Sequence, residues 1–134
     1  METRSDPHPP VYVNAPELAL PAGHYSHAVV AHGLVFVSGQ LPITPDGTKL
    51  VDAPFERQVE QVLGNLACVL GAAGSARERL VQVRVYLDEI DRWPEFDAIY
   101  ARWAGPVRPA RAVVPTGALH HGLKLEIEAV AVVC

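Results

Sequence analysis

Residues 54–88 read PFERQVEQVLGNLACVLGAAGSARERLVQVRVYLD, and within this stretch the spacing of the apolar residues changes from three or four to two. The first spacing places apolar side chains on one stripe of a helix. We therefore predict a helix over Pro54–Ala73, with Asp52 as its N-cap, Pro54 in its first turn and Gly74 at its end. The predicted stripe consists of Phe55, Val59, Val62, Leu63, Leu66, Val69 and Leu70.

The second spacing predicts a strand over Leu80–Asp88, because side chains that alternate in polarity point to opposite faces of a sheet. One set is apolar and is expected in the core: Val81, Val83, Val85 and Leu87. The other set is mixed in polarity: Gln82, Arg84, Tyr86 and Asp88. Such a strand is half buried.

The sequence on either side of this stretch adds a hairpin, a helix and two strands. We predict hairpin strands over His27–Ala31 and Leu34–Ser38 around Gly33, and a helix over Asp91–Trp103 that the segment GPVRP ends. Its predicted buried side comprises Trp93, Phe96, Ile99, Tyr100 and Trp103. The last strands are Ala110–Pro115 and Lys124–Val133. The order ββ–α–β–α–ββ predicts an α+β fold with two helices on one sheet face, and we expect the other face to pack against copies of the chain.

Composition and charge narrow the class of protein. Of the 134 residues, 49% are hydrophobic and 19% are charged, so we predict one globular domain over residues 14–134 after a flexible arm over residues 1–13. The net charge is −4 and no basic run occurs, which argues against nucleic-acid binding. No signal-peptide pattern or 18-residue apolar run is present, so we expect no membrane association and a cytoplasmic location.

Arg111 is the clearest candidate for a functional residue. It stands in the segment PARAVVPTG among apolar neighbours, with only Arg108 as a charged residue nearby. A guanidinium cannot lose its proton, so an arginine rarely points into an apolar strand unless it is paired with an anion. That anion is either a structural carboxylate or the carboxylate of a ligand, and a surface arginine is the third interpretation; the residues alone leave all three open.

The histidines and cysteines give weaker signals. His120 and His121 are neighbours, and no acid or cysteine completes a ligand set with them or with His24 and His27, so we expect no metal site. Ser38 lies in SGQ rather than in a nucleophile-elbow motif. The two cysteines, Cys68 and Cys134, are too few for a disulfide framework, and we predict a core thiol and a terminal thiol.

Six segments, taken together, resemble the RidA/YjgF family in order and spacing. They are GHYSHAV, LVFVSGQLPI, QVEQVLGNLACVLGAAG, VRVYLDEID, the PAR of Pro109–Arg111 and LEIEAVAVV, and the match runs from Asn14 to Val133. This resemblance implies a chorismate-mutase-like fold and a homotrimer in which the strands form a central barrel. It places the active sites in the clefts between subunits.

The resemblance also implies a reaction and its residues. Arg111 would grip the substrate carboxylate, Glu126 would position or activate a water molecule, and Tyr25 would line the pocket. Ser38, Gly39 and Val113 would also contact the substrate, Val113 through its backbone carbonyl. The implied reaction is hydrolysis of a 2-imino acid, such as 2-iminobutanoate or 2-iminopropanoate, to a 2-keto acid and ammonia. It requires no metal or organic cofactor.

Several positions depart from the family pattern. Val113 replaces a common cysteine, His24 and His27 flank Tyr25, and Asp97 stands where an asparagine is frequent. The connection GPVR is also short, which leaves open a larger enamine of the aminomuconate type. Another alternative is a non-catalytic trimer that binds small carboxylates in regulation or as a chaperone. An endoribonuclease activity has been attached to the family, but the acidic charge balance argues against tight RNA binding.

Overall fold

A six-stranded sheet with two helices on one face forms the domain. The structure, a computed structural model, describes residues 8–134. The strands are β1 (Val11–Val13), β2 (Ala28–Ala31), β3 (Leu34–Gln40), β4 (Leu80–Leu87), β5 (Ala110–Pro115) and β6 (Leu125–Val132), and the helices are α1 (Phe55–Ala72) and α2 (Trp93–Ala104). The sheet order is β1-β2-β3-β6-β4-β5, with β4 and β5 parallel and the other neighbours antiparallel. The predicted α+β fold is confirmed.

The hairpin of β2 and β3 is closed by two residues with positive φ, His32 at 51° and Gly33 at 76°. A two-residue loop with both residues in this region matches the twist of the flanking strands. β1 pairs with β2, which corrects the end of the predicted arm over residues 1–13. A strand of three residues is too short to show alternation in the sequence. Residues 1–7 lie outside the described residues.

Helix α1 buries the predicted apolar stripe completely, with no member more than 4% exposed. Pro54 is itself the N-cap and no side chain caps the helix, so the prediction that Asp52 does so is wrong. At the other end, Gly74 has φ of 78° and the N–H of Ser75 donates to the carbonyl of Leu70 at 2.8 Å. Glycine ends the helix as predicted, because it adopts the left-handed conformation without steric cost.

Two predicted core residues are exposed instead. Val81 is 46% exposed because the pairing of β4 with β6 shifts between Leu80 and Gln82, and this bulge takes Val81 out of the alternation. Trp93 is also 46% exposed, since α2 begins at this residue after a short 3-10 turn. The rest of the α2 stripe is buried or half-buried.

The sheet has one covered face and one open face. The covered face lies under the helices and is apolar, with Val83, Val85 and Leu87 fully buried. The open face presents Phe36, Arg84, Tyr86, Glu126 and Glu128, which are exposed or half-buried. Between residues 8 and 134, neither helix is long and apolar enough to cross a bilayer.

Candidate active site

A cavity of about 560 Å³ opens where three loops meet the end of β3 and the side of α1. The loop before β2 supplies Tyr25 to its wall, and the bulged end of β3 supplies Gly39. The polar part of the lining includes Asn65 of α1 and the neighbouring residues His120 and His121. The cavity thus joins two of the residues predicted from the family resemblance, Tyr25 and Gly39, with three residues that were not assigned to a substrate site.

Buried hydrogen bonds hold the loop that carries Tyr25. The ring of His27 is 5% exposed; its Nδ1 accepts a hydrogen bond from the N–H of Ala15 and its Nε2 donates to the carbonyl of Ala19, both at 3.0 Å. The hydroxyl of Ser38 donates to the carbonyl of Ser26 at 2.6 Å. Both side chains are therefore used in supporting the loop on either side of Tyr25. With its proton given to Ser26, the Ser38 hydroxyl can meet a substrate only as an acceptor, and its contact with the substrate stays a prediction.

Glu126 lies directly against the backbone of Gly39. A Cβ atom built on Gly39 would stand 2.0 Å from Oε1 of Glu126, a separation that no real side chain adopts. Gly39 does not have a positive φ, so the glycine is required here for close approach and not for its conformation. The absence of a side chain at position 39 lets a carboxylate of the open face lie against Gly39, which lines the cavity, while Glu126 itself is not one of the lining residues.

The two glutamates of β6 have different environments. Glu128 accepts a hydrogen bond from the Tyr86 hydroxyl at 2.5 Å and pairs with Arg84 at 3.5 Å. Glu126 accepts no hydrogen bond from any described residue, and burial raises its pKa while the nearby charge of His120 lowers it and that of Glu128 raises it. A carboxylate that is half-buried and unpaired, and whose pKa is raised, has the properties of a general base.

Arg111 lies on the edge strand β5 and points to the covered face. Its Nη1 donates to Oδ1 of Asp97 on α2 at 2.7 Å, and its guanidinium carbon lies 5.0 Å from the centre of the Tyr100 ring. Of the two anions considered from the sequence, a structural carboxylate is present. Asp97 accepts a hydrogen bond from Nη1 only, so other donors of the guanidinium remain for a ligand.

One chain does not bring Arg111 and Glu126 together. Glu126 is in register with Tyr86 and Val114, whereas Arg111 is in register with Val83. Strand spacings of about 4.8 Å and a rise of about 3.3 Å per residue place the Cα atoms of the two residues about 14 Å apart. Their side chains also leave the sheet on opposite faces. Val113 lies on β5 with Arg111. In the sheet order, β5 is separated by β4 from the strand of Glu126, and by β4 and β6 from the strand of Gly39.

Sequence reasoning missed Asn65 and the role of Asp97. The amide nitrogen of Asn65 donates to the carbonyls of Leu41 and Ile43 at 3.1 and 2.9 Å, which fixes the loop after β3 beside the cavity. A polar residue three positions after Val62 and four before Val69 falls within the apolar stripe, and that position was the available signal. Asp97 gave no such signal, since its contact joins α2 to β5.

Metal ligands and reactive thiols are not part of this site. Within residues 8–134 no three His, Cys, Asp or Glu side chains are grouped to hold a metal ion. The Cys68 thiol, predicted as a core thiol, is only partly buried and donates to Glu17 at 3.2 Å. Burial, together with this acidic neighbour, raises the pKa of the Cys68 thiol to about 11, so the thiolate is scarce at neutral pH.

Comparison with known proteins gives relatives that cover most of the chain. The family profile described as "Endoribonuclease L-PSP" matches residues 15–133. Protein HMF1 of Saccharomyces cerevisiae is 41% identical over 110 residues, which are 82% of this chain and 84% of the relative. The chloroplastic Reactive Intermediate Deaminase A of Arabidopsis thaliana is 36% identical over 109 residues, which are 81% of this chain and 58% of the relative.

Solved structures agree with these relatives. Yeast Mmf1 superposes with a TM-score of 0.90 at 31% identity, covering 94% of this chain and all of that one. Escherichia coli TdcF, whose structure contains bound serine, superposes with a TM-score of 0.86 at 25% identity. The superposition covers 92% of this chain and 99% of the TdcF chain. The residues, the topology and these comparisons agree, and the chain belongs to the RidA/YjgF family, which includes reactive intermediate deaminases.

Proposed function

We propose that this protein hydrolyses 2-imino acids to 2-keto acids and ammonia in a cleft between two subunits of a homotrimer. The observation that carries the proposal is the carboxylate of Glu126, which stands over Gly39 beside the cavity and accepts no hydrogen bond from the described residues. The similarity to a relative named as a reactive intermediate deaminase supports the reaction class. The serine in TdcF supports a small ligand with a carboxylate.

The separation of Arg111 from Glu126 supports an active site shared between chains. The two residues lie on opposite faces of one sheet, so a single substrate cannot contact both in the same chain. Arg111 is on the edge strand β5, where a second copy has access. The open face also exposes Phe36, which is 45% exposed, and a homotrimer would bury it. In this arrangement Arg111 of one subunit faces Gly39 and Glu126 of its neighbour.

Each residue then has one task in the reaction. Arg111 holds the substrate carboxylate with the directional hydrogen bonds of its guanidinium. Glu126 takes a proton from a water molecule, whose oxygen forms a bond to C2 of the C=N group. The electrons of the C=N π bond move to the nitrogen, which takes back the proton held by Glu126 and gives a carbinolamine. The proton of the new hydroxyl group is then passed through Glu126 to the nitrogen, the C2–N bond breaks, and ammonia leaves as the keto group forms. Tyr25 lines the pocket, the backbone of Gly39 and the carbonyl of Val113 contact the substrate, and no cofactor takes part.

The cavity also favours a second candidate substrate. Its volume of about 560 Å³ is larger than a four-carbon imine needs, although part of the space would be filled by the neighbouring subunit. A larger enamine of the aminomuconate type is therefore our alternative within the same reaction class.

A coupled assay tests the proposal. An amino-acid oxidase generates the imine and semicarbazide traps whatever is not hydrolysed, over a series of side-chain sizes. The wild-type protein should compete with the trap, whereas Arg111→Ala and Glu126→Gln should not, while remaining folded and three times the mass of the chain. Glu128→Gln is the matched control, because it neutralises the other glutamate of β6 and keeps an acceptor for Tyr86. Wild-type activity in Glu126→Gln would remove this residue from the mechanism.

A further inference from the structure

Side chains of α2 fix the orientation of the Arg111 guanidinium. Asp97 accepts a hydrogen bond from its Nη1 at 2.7 Å. The rings of Tyr100 and Phe96 lie under the guanidinium carbon, with their centres 5.0 and 5.9 Å away. The pair is only partly exposed, with 25% of the Arg111 side chain and 44% of the Asp97 side chain accessible. The cation is thus held in one plane by an anion and two aromatic faces.

This contact leaves a defined part of the guanidinium available. Arg111 has five N–H donors, and among the described residues only Asp97 accepts from them. The edge formed by Nε and Nη2 can therefore bind a carboxylate in a bidentate manner. The hydroxyl of Tyr100, whose ring lies under the guanidinium, is buried and has no hydrogen-bond partner within residues 8–134. Because that oxygen is buried, it is closed to a ligand in this chain, and the Nε–Nη2 edge is the part of the site left for a carboxylate.

The charge of Asp97 acts on whatever binds at that edge. A ligand carboxylate would lie about 6 Å from the Asp97 carboxylate, close enough for appreciable repulsion in a partly buried site. A positively charged nitrogen attached to the carbon next to the ligand carboxylate would be attracted over a similar distance. The two effects oppose each other for a zwitterion, whereas a simple carboxylate experiences only the repulsion.

We propose that Asp97 is a positioning residue that makes the Arg111 site select ligands with a protonated nitrogen beside the carboxylate over ligands with the carboxylate alone. The inference rests on the proposed function, in which Arg111 holds the substrate carboxylate. It has a consequence for turnover: a protonated 2-imino acid is a zwitterion, whereas the 2-keto acid product is a simple anion. Asp97 therefore favours retention of the substrate and release of the product.

The test uses two probes with the same carbon skeleton, L-2-aminobutanoate as the zwitterion and 2-oxobutanoate as the simple anion. Their affinities are measured at pH 7 and low salt for the wild-type protein, Asp97→Asn and Glu56→Gln. Glu56 of α1 forms an exposed ion pair with Arg102 of α2 at 3.4 Å, so Glu56→Gln makes the same change in net charge away from Arg111.

Asp97→Asn should tighten 2-oxobutanoate about 3- to 10-fold and change L-2-aminobutanoate by less than about two-fold, since a partly exposed charge is screened. Glu56→Gln should leave both affinities unchanged. If Asp97→Asn weakens both probes equally, Asp97 has only a structural role and the inference is wrong. Unchanged affinity for both probes overturns it as well.

Arg111→Ala separates this inference from the proposed function. If Arg111→Ala binds both probes as the wild type does, the carboxylate is not held at Arg111, and both the proposed site and the role of Asp97 are refuted. If Arg111→Ala loses both probes while Asp97→Asn behaves as the wild type, the proposed site stands and only the selectivity is refuted.

Discussion

Replacing Gly39 with alanine tests the closest contact at the proposed site. The new Cβ would stand 2.0 Å from Oε1 of Glu126 and 2.9 Å from its Cδ, whereas ordinary contact begins at 3.4 Å. The carboxylate must therefore retreat by about 1.4 Å from its place over the backbone, because a side chain yields more readily than two paired strands. The change moves the proposed base without altering its chemistry.

The expected magnitudes differ for activity and for stability. A displacement of about 1 Å in a positioned catalytic group can cost about 100-fold in rate, so we expect a loss of about that size in kcat for Gly39→Ala. The free energy of unfolding should change by no more than about 1 kcal/mol. Because Gly39 has no positive φ, replacing it with alanine stabilises the fold by about 0.4–1 kcal/mol through the unfolded chain. Local crowding by the new Cβ opposes this gain. Activity should fall far more than stability.

The measurement combines the imine hydrolysis assay with denaturant unfolding and a mass in solution. Gly64→Ala is the matched control, since Gly64 lies in α1 and an added Cβ there meets no atom within 4 Å. This control should raise the free energy of unfolding by about 1 kcal/mol, as alanine is the better helix former, and leave kcat unchanged. Full activity in Gly39→Ala would refute the placement of Glu126. A loss of activity that merely follows unfolding or dissociation would refute the expectation that the Glu126 side chain, and not the strands, yields to the new Cβ.

Three further predictions concern titratable residues. Burial raises the pKa of Glu126 above its ordinary 4.5, so the folded state binds the proton more tightly than the unfolded chain and stability falls as pH rises through the folded pKa. Glu126→Gln should therefore be more stable than the wild type at neutral pH, and this advantage in denaturant unfolding should vanish below about pH 4; an equal advantage at all pH values would contradict the shift. His120→Gln removes the charge that lowers the pKa of Glu126, so the acid limb of the pH–rate profile should move to higher pH, while the profile of the control His121→Gln stays in place. His27→Ala deletes a buried ring that bonds two backbone groups and should lower the free energy of unfolding by about 2–4 kcal/mol; a loss below about 0.5 kcal/mol would show that these bonds do not hold the loop.

Features that depend on neighbouring residues were predictable from the sequence. The spacing of Phe55, Val59 and Val62 identified the buried side of α1, and Gly74 identified its end. The hairpin between β2 and β3 followed from Gly33 in the same way. In each case the determining contacts lie within a few residues along the chain. The exceptions, Asp52 and Val81, were decided by the exact start of a helix and by a bulge, which depend on partners elsewhere.

For the candidate site, too, local features were readable from the sequence and partners distant in the chain were not. The sequence by itself identified Arg111 as a candidate for binding an anion, since a guanidinium stays charged and its strand is apolar. Only the tertiary structure decided that Asp97 is that anion in the chain, that Glu126 lies over Gly39, and that Arg111 and Glu126 occupy opposite faces of the sheet. The physical reason is that periodicity reports which side of an element is buried. The partner of a polar side chain is set by how elements far apart in the chain align, and no local pattern encodes that alignment.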